Sequence, residues 1–214
     1  MEVTKISPPV SGFLLVKLDQ EIIDYLWKII GISKTTNESN KDHLAGNISQ
    51  SLLLDDVDSL FSKAVCSPLV KYYRENYDLG NDPVSQNASL GNKSNLVLNK
   101  IWVNYQYKTE FNPYHDHTGV YSFAIWMKIP YDSEEQQKLP QFSDINPAQR
   151  KAGNFEFEYL DSLGSIINYT YRLSPKFEGL MVFFPARLRH CVYPFYDIDS
   201  PRISIAGNLS YMPA

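Results

Sequence analysis

His115 and His117 stand two residues apart in the run Asn112-Pro-Tyr-His-Asp-His-Thr-Gly119, in a chain that holds only four histidines. If this run is extended, residues i and i+2 share one face of a sheet, so both imidazoles can meet one metal ion while Asp116 turns away. His190 lies far downstream, at the mouth of a further strand pattern, in Phe183-Phe-Pro-Ala-Arg-Leu-Arg-His-Cys-Val192. A closed double sheet can bring it across to the pair. Three imidazoles from two strands form a facial set and leave up to three coordination positions open, which suits iron(II) holding a bidentate co-substrate and admitting dioxygen. An isolated H-x-H pair also occurs as surface decoration or in a polar network, so the reading needs the rest of the pattern.

Arg202 and Ser204 supply it. They begin the run Arg202-Ile-Ser-Ile-Ala-Gly-Asn-Leu-Ser210 and share one face by the same period of two. A guanidinium pointing into a barrel is costly unless an anion meets it. Its planar fork matches a carboxylate, and a serine hydroxyl can add a bond. A dicarboxylate that chelates the metal at one end can therefore reach Arg202 with the other. The bland alternative is a structural ion pair with an Asp or Glu.

The elements that must position these groups are mostly strands. Residues 96–107, 120–129, 154–160, 165–173, 179–184, 190–196 and 202–211 read as strands from their β-branched and aromatic content. Ahead of them, 12–18 reads as a strand, Asp19 to Ile30 as a capped amphipathic helix, 33–50 as a polar loop and 52–77 as a second helical region that Pro68 breaks or kinks. Residues 79–95 read as a loop. The polar insertion 131–153 is long for a connection and is expected to act as a lid. The pattern predicts one domain, mainly β with flanking helices: residues 1–95 give an N-terminal strand and supporting helices, and 96–214 a double-stranded β-helix, a cupin-like jelly-roll.

Composition narrows the partners. A chain of 214 residues with 43% hydrophobic content can bury a substantial core, and a net charge of −4 without clustered Lys and Arg argues against a general nucleic-acid surface. No apolar run approaches the length of a membrane span. The N-terminus lacks the pattern of a secretory signal, and Cys66 and Cys191 are too few for a disulfide framework, so the expected location is cytoplasmic. Cys191 and the tryptophans Trp102 and Trp126 are read as core.

Taken in order, His115-x-His117, Gly179-Leu-Met-Val-Phe-Phe-Pro185, His190 and Arg202-x-Ser204 with Asn208 resemble the iron(II)/2-oxoglutarate oxygenases. They look most like the 2OG-Fe(II) oxygenase group of marine phages and cyanobacteria; Leu44-Ala-Gly-Asn-Ile48 and Trp102-Val-Asn104 add weaker likenesses. The resemblance implies a dioxygenase that hydroxylates its substrate and releases succinate and carbon dioxide. It implies His115, His117 and His190 as iron(II) ligands and catalytic centre, with 2-oxoglutarate and dioxygen as co-substrates and ascorbate as a stimulant. Arg202 would hold the distal carboxylate with help from Ser204, and Asn104 and Tyr107 would also contact the co-substrate. Tyr105, Tyr121 and Asn208 would line the substrate pocket. The substrate would be a small molecule or a protein side chain, with no nucleic acid or membrane partner, in the host cytoplasm if the chain is phage-encoded.

One departure stands out. Most of the superfamily has H-x-D where this chain has H-x-H, and Asp116 cannot replace the missing carboxylate because it neighbours His115. A neutral imidazole in that place leaves the site one unit more positive, which favours anionic 2-oxoglutarate and alters the iron's potential. Either His117 or an acid such as Glu156 or Glu158 then completes the shell. Two rival readings remain: a three-histidine cupin oxygenase without 2-oxoglutarate, against which Arg202 and Ser204 speak, and a non-catalytic jelly-roll binding or virion module, against which the histidine trio speaks.

Overall fold

A computed structural model of the chain describes residues 12–77 and 94–213. Ten strands among these residues form two antiparallel sheets. In the larger sheet the order is β1 (Leu14–Lys17), β8 (Leu180–Pro185), β5 (Tyr121–Lys128), β10 (Arg202–Pro213), β3 (Ser94–Gln106) and β2 (Gln50–Leu53). The smaller sheet runs β4 (Asn112–His115), β9 (Arg189–Val192), β6 (Phe155–Leu160) and β7 (Ile166–Tyr171). This is the expected jelly-roll: most neighbours in a sheet are distant in sequence, and the two sheets enclose a core.

Both faces of the larger sheet are buried, each by a different partner, and strict alternation sorts the side chains between them. On β5 and β8, Phe123, Ile125, Met181 and Phe183 face outward and pack with the helices. Trp126, Val182 and Phe184 face inward and meet Phe155 and Phe157 of the smaller sheet. Helix α1 (Gln20–Thr36) lays Leu26, Ile29 and Ile30 on the outer face. Helix α2 (Ser67–Tyr77) adds Val70 and Tyr73 there. No helix among the described residues is long and apolar enough to cross a membrane.

Several expected boundaries move. Helix α1 continues past Ile30 to Thr36 and stops where Asn37 adopts a left-handed conformation and its N–H returns to the Ser33 carbonyl. Asp19 sits at its start without a side-chain capping bond. The polar loop and the start of the second helical region instead contain β2, because Leu52 is buried against the sheet. Pro68 does not break the helix that follows. A π-helical turn, Ser62–Cys66, precedes α2, and the Ser67 N–H reaches back to the Ser62 carbonyl, so the wider turn accommodates the proline ring. The loop expected over 79–95 lies outside the described residues except at 94 and 95, which begin β3.

The insertion lies away from the cavity. It forms a short helix, α3 (Ser133–Gln136), and 3₁₀ turns, and it packs beside the chain after β9. Gln136 Oε1 accepts the Tyr196 N–H at 2.6 Å and Phe142 meets the Tyr196 ring. None of residues 132–153 reaches the cavity described next.

Candidate metal centre and its cavity

The inward faces of the two sheets enclose a cavity of about 330 Å³, within the range that small-molecule sites occupy. His115, at the end of β4, and His190, on β9, are direct register partners. His117 follows β4 and is tied down by its N–H to the Ala186 carbonyl at 2.8 Å. The ligand-capable atoms of the three imidazoles all lie within 4.8 Å of one another.

Backbone carbonyls set the tautomers. His115 Nδ1 lies 2.7 Å from the Pro113 carbonyl oxygen, and His190 Nδ1 lies 3.0 Å from that of Leu188. A carbonyl oxygen only accepts, so each Nδ1 carries the proton and each Nε2 keeps its lone pair. His190 Nε2 faces His117 Nε2 at 3.3 Å. Burial pushes the pKa of all three down: His190 well below the ordinary value, His117 to about 4, and His115 down against the opposing pull of the Pro113 carbonyl and Asp116. Neutral imidazoles with converging lone pairs are the state a divalent metal requires. The donor set fits iron(II).

Asp116 is turned to Arg187, 3.2 Å away, as expected for a residue between two inward-facing histidines. Glu156 and Glu158 are not near the trio, since on β6 they alternate with the inward Phe155 and Phe157. Glu158 pairs with Arg189 at 3.2 Å. Glu156, though only 2% exposed, lies on the reverse face of the smaller sheet. There it accepts hydrogen bonds from Tyr114 at 2.6 Å, Lys151 at 2.5 Å and Thr170. Burial pushes its pKa up, but these bonds outweigh burial and hold it below the usual range. Cys191 lies on the same reverse face, its thiol pushed up to about 11 chiefly by burial.

The floor of the cavity is a ladder of inward residues across β3, β10 and β5. Arg202 pairs with Gln106, and Ser204 lies between Asn104 and Trp126. Ala206 lies between Trp102 and Ala124, and Asn208 between Lys100 and Ser122. Successive rungs are roughly 7 Å apart, two residues of strand. The Trp102 ring lies 6.0 Å from that of His117, which places the trio over the third rung, where two alanines leave room.

Arg202 is 3% exposed and has no acidic partner among the described residues. Its one hydrogen-bonding contact there is Nη1 to the Tyr131 hydroxyl at 3.4 Å, and Nε has no partner. A single hydrogen bond from a charged group returns about 1.5–3 kcal/mol at good geometry, whereas an unpaired buried charge costs several kcal/mol. The guanidinium is therefore incomplete without an anion. Asn104 Oδ1 and Gln106 Oε1 are buried and unpartnered beside it.

The expectation that Tyr105, Tyr107 and Tyr121 contact ligands does not hold. Asn104 and Tyr105 are neighbours on one strand and cannot share a face. Tyr105 and Tyr121 point outward into the helix-covered core, where Tyr121 stacks on Phe183 at 5.2 Å. Tyr107 lies past the end of β3, 38% exposed and off the cavity wall. Asn104, Ser204 and Asn208 do line the cavity, as do Trp102 and Trp126. Sequence reasoning missed Gln106, which extends the alternation of Asn104 by one step. It also missed Asn112, whose Nδ2 lies 3.3 Å from His115 Nε2, and Tyr131, which gave no signal short of its contact with Arg202.

A family model described as "Putative 2OG-Fe(II) oxygenase" matches residues 100–208. No curated protein sequence matches the chain. Among solved structures, the chain is similar to a prolyl-4-hydroxylase of Pseudomonas putida, with 12% identity, 94% of this chain and 92% of that chain covered, and a TM-score of 0.54. That likeness is one of fold.

Proposed function

This chain belongs to the family of 2OG-Fe(II) oxygenases, and from that premise we propose that His115, His117 and His190 hold the iron(II) and Arg202 the far carboxylate of 2-oxoglutarate in a hydroxylase. Iron(II), 2-oxoglutarate and dioxygen are the cofactor and co-substrates of the family. The bound metal supplies oxidative decarboxylation of 2-oxoglutarate to succinate and carbon dioxide, coupled to oxidation of the substrate.

The chain's own residues then do four things. The carbonyls of Pro113 and Leu188 hold two imidazoles with Nε2 inward. Arg202 and Ser204 offer charge-assisted and hydroxyl hydrogen bonds two and one rungs from the alanine rung beneath the trio, a reach suited to a five-carbon diacid. Tyr131 keeps the guanidinium in place from behind. Trp126, Phe155 and Val192 keep water from that end of the cavity.

The observation that carries the reading is the buried, anion-deficient Arg202 in one cavity with the histidine trio. Anaerobic addition of iron(II) and 2-oxoglutarate tests it by the visible charge-transfer band of the chelate. We expect the band in wild type and a large rise in the 2-oxoglutarate concentration needed for it in Arg202→Ala. An undiminished band in that variant at limiting co-substrate removes Arg202 from the role.

A further inference from the structure

We infer that the substrate carries a carboxylate, received by Lys100 and the side-chain amide of Asn208 on the fourth rung of the cavity floor. The inference rests on the metal and co-substrate assignment above and concerns the part of the cavity that assignment leaves open.

Position comes first. Arg202 and Asn208 are six residues apart on β10, roughly 20 Å along the strand, with the trio above the rung between Ser204 and Asn208. The co-substrate extends from the trio toward Arg202, so a second molecule must approach from the opposite side. The fourth rung is the first floor it meets there.

A β-bulge prepares that rung. The register between β10 and β3 slips after Asn208: Asn208 faces Lys100, but Leu209 faces Leu98. Asn99 is the extra residue, and both Asn99 and Lys100 border the cavity in consequence. Bulges re-aim side chains in this way beside active sites.

Charge and hydrogen bonding define the ligand. Lys100 makes no ion pair among the described residues; Glu38 is the acid whose field reaches it, and burial still draws its pKa down. Among the described residues, Asp116 is the one acid that lines the cavity, and Arg187 holds it. Asn208 Oδ1 already accepts the Ser122 hydroxyl at 2.8 Å, which leaves its Nδ2 to donate. One ammonium and one amide N–H match the two oxygens of a monoanion, while the second charge of a phosphate ester would find no second cation on this rung. The three-histidine set adds no negative charge of its own, so the ternary site tolerates a further anion. Leu44, Ala45 and Ile48 add apolar lining to the same cavity.

The test uses iron(II)- and 2-oxoglutarate-loaded wild type and Lys100→Met without oxygen. The probes are the twenty free L-amino acids, their C-terminal amides, and aspartate and glutamate blocked at both backbone ends. Binding is read as a shift of the charge-transfer band, and succinate release in air is measured in parallel. We expect at least one carboxylate to shift the band in wild type, with the matching amide and Lys100→Met each weaker by about tenfold or more. A response to free acids alone assigns an α-carboxylate; a response to the blocked acids assigns a carboxylate side chain in a peptide. Either supports the inference. Amides that bind as well as acids, an unchanged affinity in Lys100→Met, or a band that no carboxylate moves overturns it. Absence of the band in wild type overturns the metal and co-substrate assignment itself, and this inference with it.

Discussion

His115 and His190 face each other across β4 and β9 with ring centroids 4.3 Å apart, and each donates its Nδ1 proton to the carbonyl two residues before it in the chain. One local device, used twice on adjacent strands, turns two lone pairs toward the same point. The orientation is built into the backbone and does not await a ligand.

Metal binding should follow directly from this pair. His115→Ala and His190→Ala are each expected to lose iron(II) or cobalt(II) affinity by more than the roughly 10–100-fold that follows loss of an outer-shell partner. Anaerobic titration followed by metal analysis of the desalted protein measures this. Stoichiometric metal in either variant would remove that histidine from the ligand set.

The pH dependence of the metal-free protein has a definite sign. Burial depresses the pKa of the three histidines in the folded chain, whereas the unfolded chain titrates near the ordinary value of about 6.5. Below that value the unfolded state binds more protons, so stability falls as pH falls. The histidine contribution is complete above about pH 6.5 and is lost toward pH 4, the value for His117. Thermal melts across this window should show Tm dropping with acid, and a smaller drop in His117→Gln. A flat profile would mean that the imidazoles are not desolvated.

The strands that carry this site were legible for a simple reason. Runs such as 96–107 and 202–211 are long, β-branched and flanked by turn residues, so their existence survives errors at the ends. Strands β2 and β4 were not, because four residues give too short a pattern and Pro113 lies within β4. Arg202, Ser204 and Asn208 fall on the cavity because alternation holds along β10. The same rule, applied strictly, would have placed Tyr105 opposite Asn104 and found Gln106 in its stead. The Glu156 cluster was invisible, since its partners Tyr114, Lys151, Thr170 and Tyr193 come from four separate segments and meet only when the smaller sheet forms.

That cluster leads to a prediction about β4. Only two register pairs tie β4 to β9, with a bulge between them. Tyr114, next to His115, adds a hydrogen bond to buried Glu156, and Asn168 donates to the Tyr114 hydroxyl at 2.9 Å. Tyr114→Phe keeps the ring but removes the bond to a charged group, at an expected cost of about 1.5–3 kcal/mol in denaturant unfolding. Metal affinity should fall with it, since His115 rides on the same strand. A stability loss with unchanged metal affinity would show that β4 is held well enough without Tyr114.

Gly46 fixes the 44–48 segment against the start of β4. A Cβ there would lie 2.3 Å from Asn112 Oδ1 and 2.5 Å from the Phe111 carbonyl oxygen. The second contact is backbone, held in place because the Phe111 N–H donates to the Asn47 carbonyl at 3.3 Å, and it cannot swing aside. Gly46→Ala should therefore lift the 44–48 segment from β4 and cost about 1–3 kcal/mol, as overpacking does. An unaltered melt would show that this segment yields without cost.

Tyr131 and Arg202 separate positioning from binding. The Tyr131 hydroxyl donates to the Gly153 carbonyl at 2.9 Å and stands 3.4 Å from Arg202 Nη1, while its ring stacks on Phe195 at 4.6 Å. Tyr131→Phe retains the stack and the fold but leaves Nη1 without its partner, so the guanidinium gains rotational freedom. Affinity for 2-oxoglutarate should weaken by roughly 1 kcal/mol, about fivefold, against about 1.5–3 kcal/mol for Arg202→Met. Metal affinity should stay the same in both, because neither residue lies near the trio's lone pairs. In the double variant Tyr131→Phe/Arg202→Met the tyrosine effect should vanish, since it acts only through the arginine. Additive losses would instead mean that Tyr131 touches the co-substrate itself.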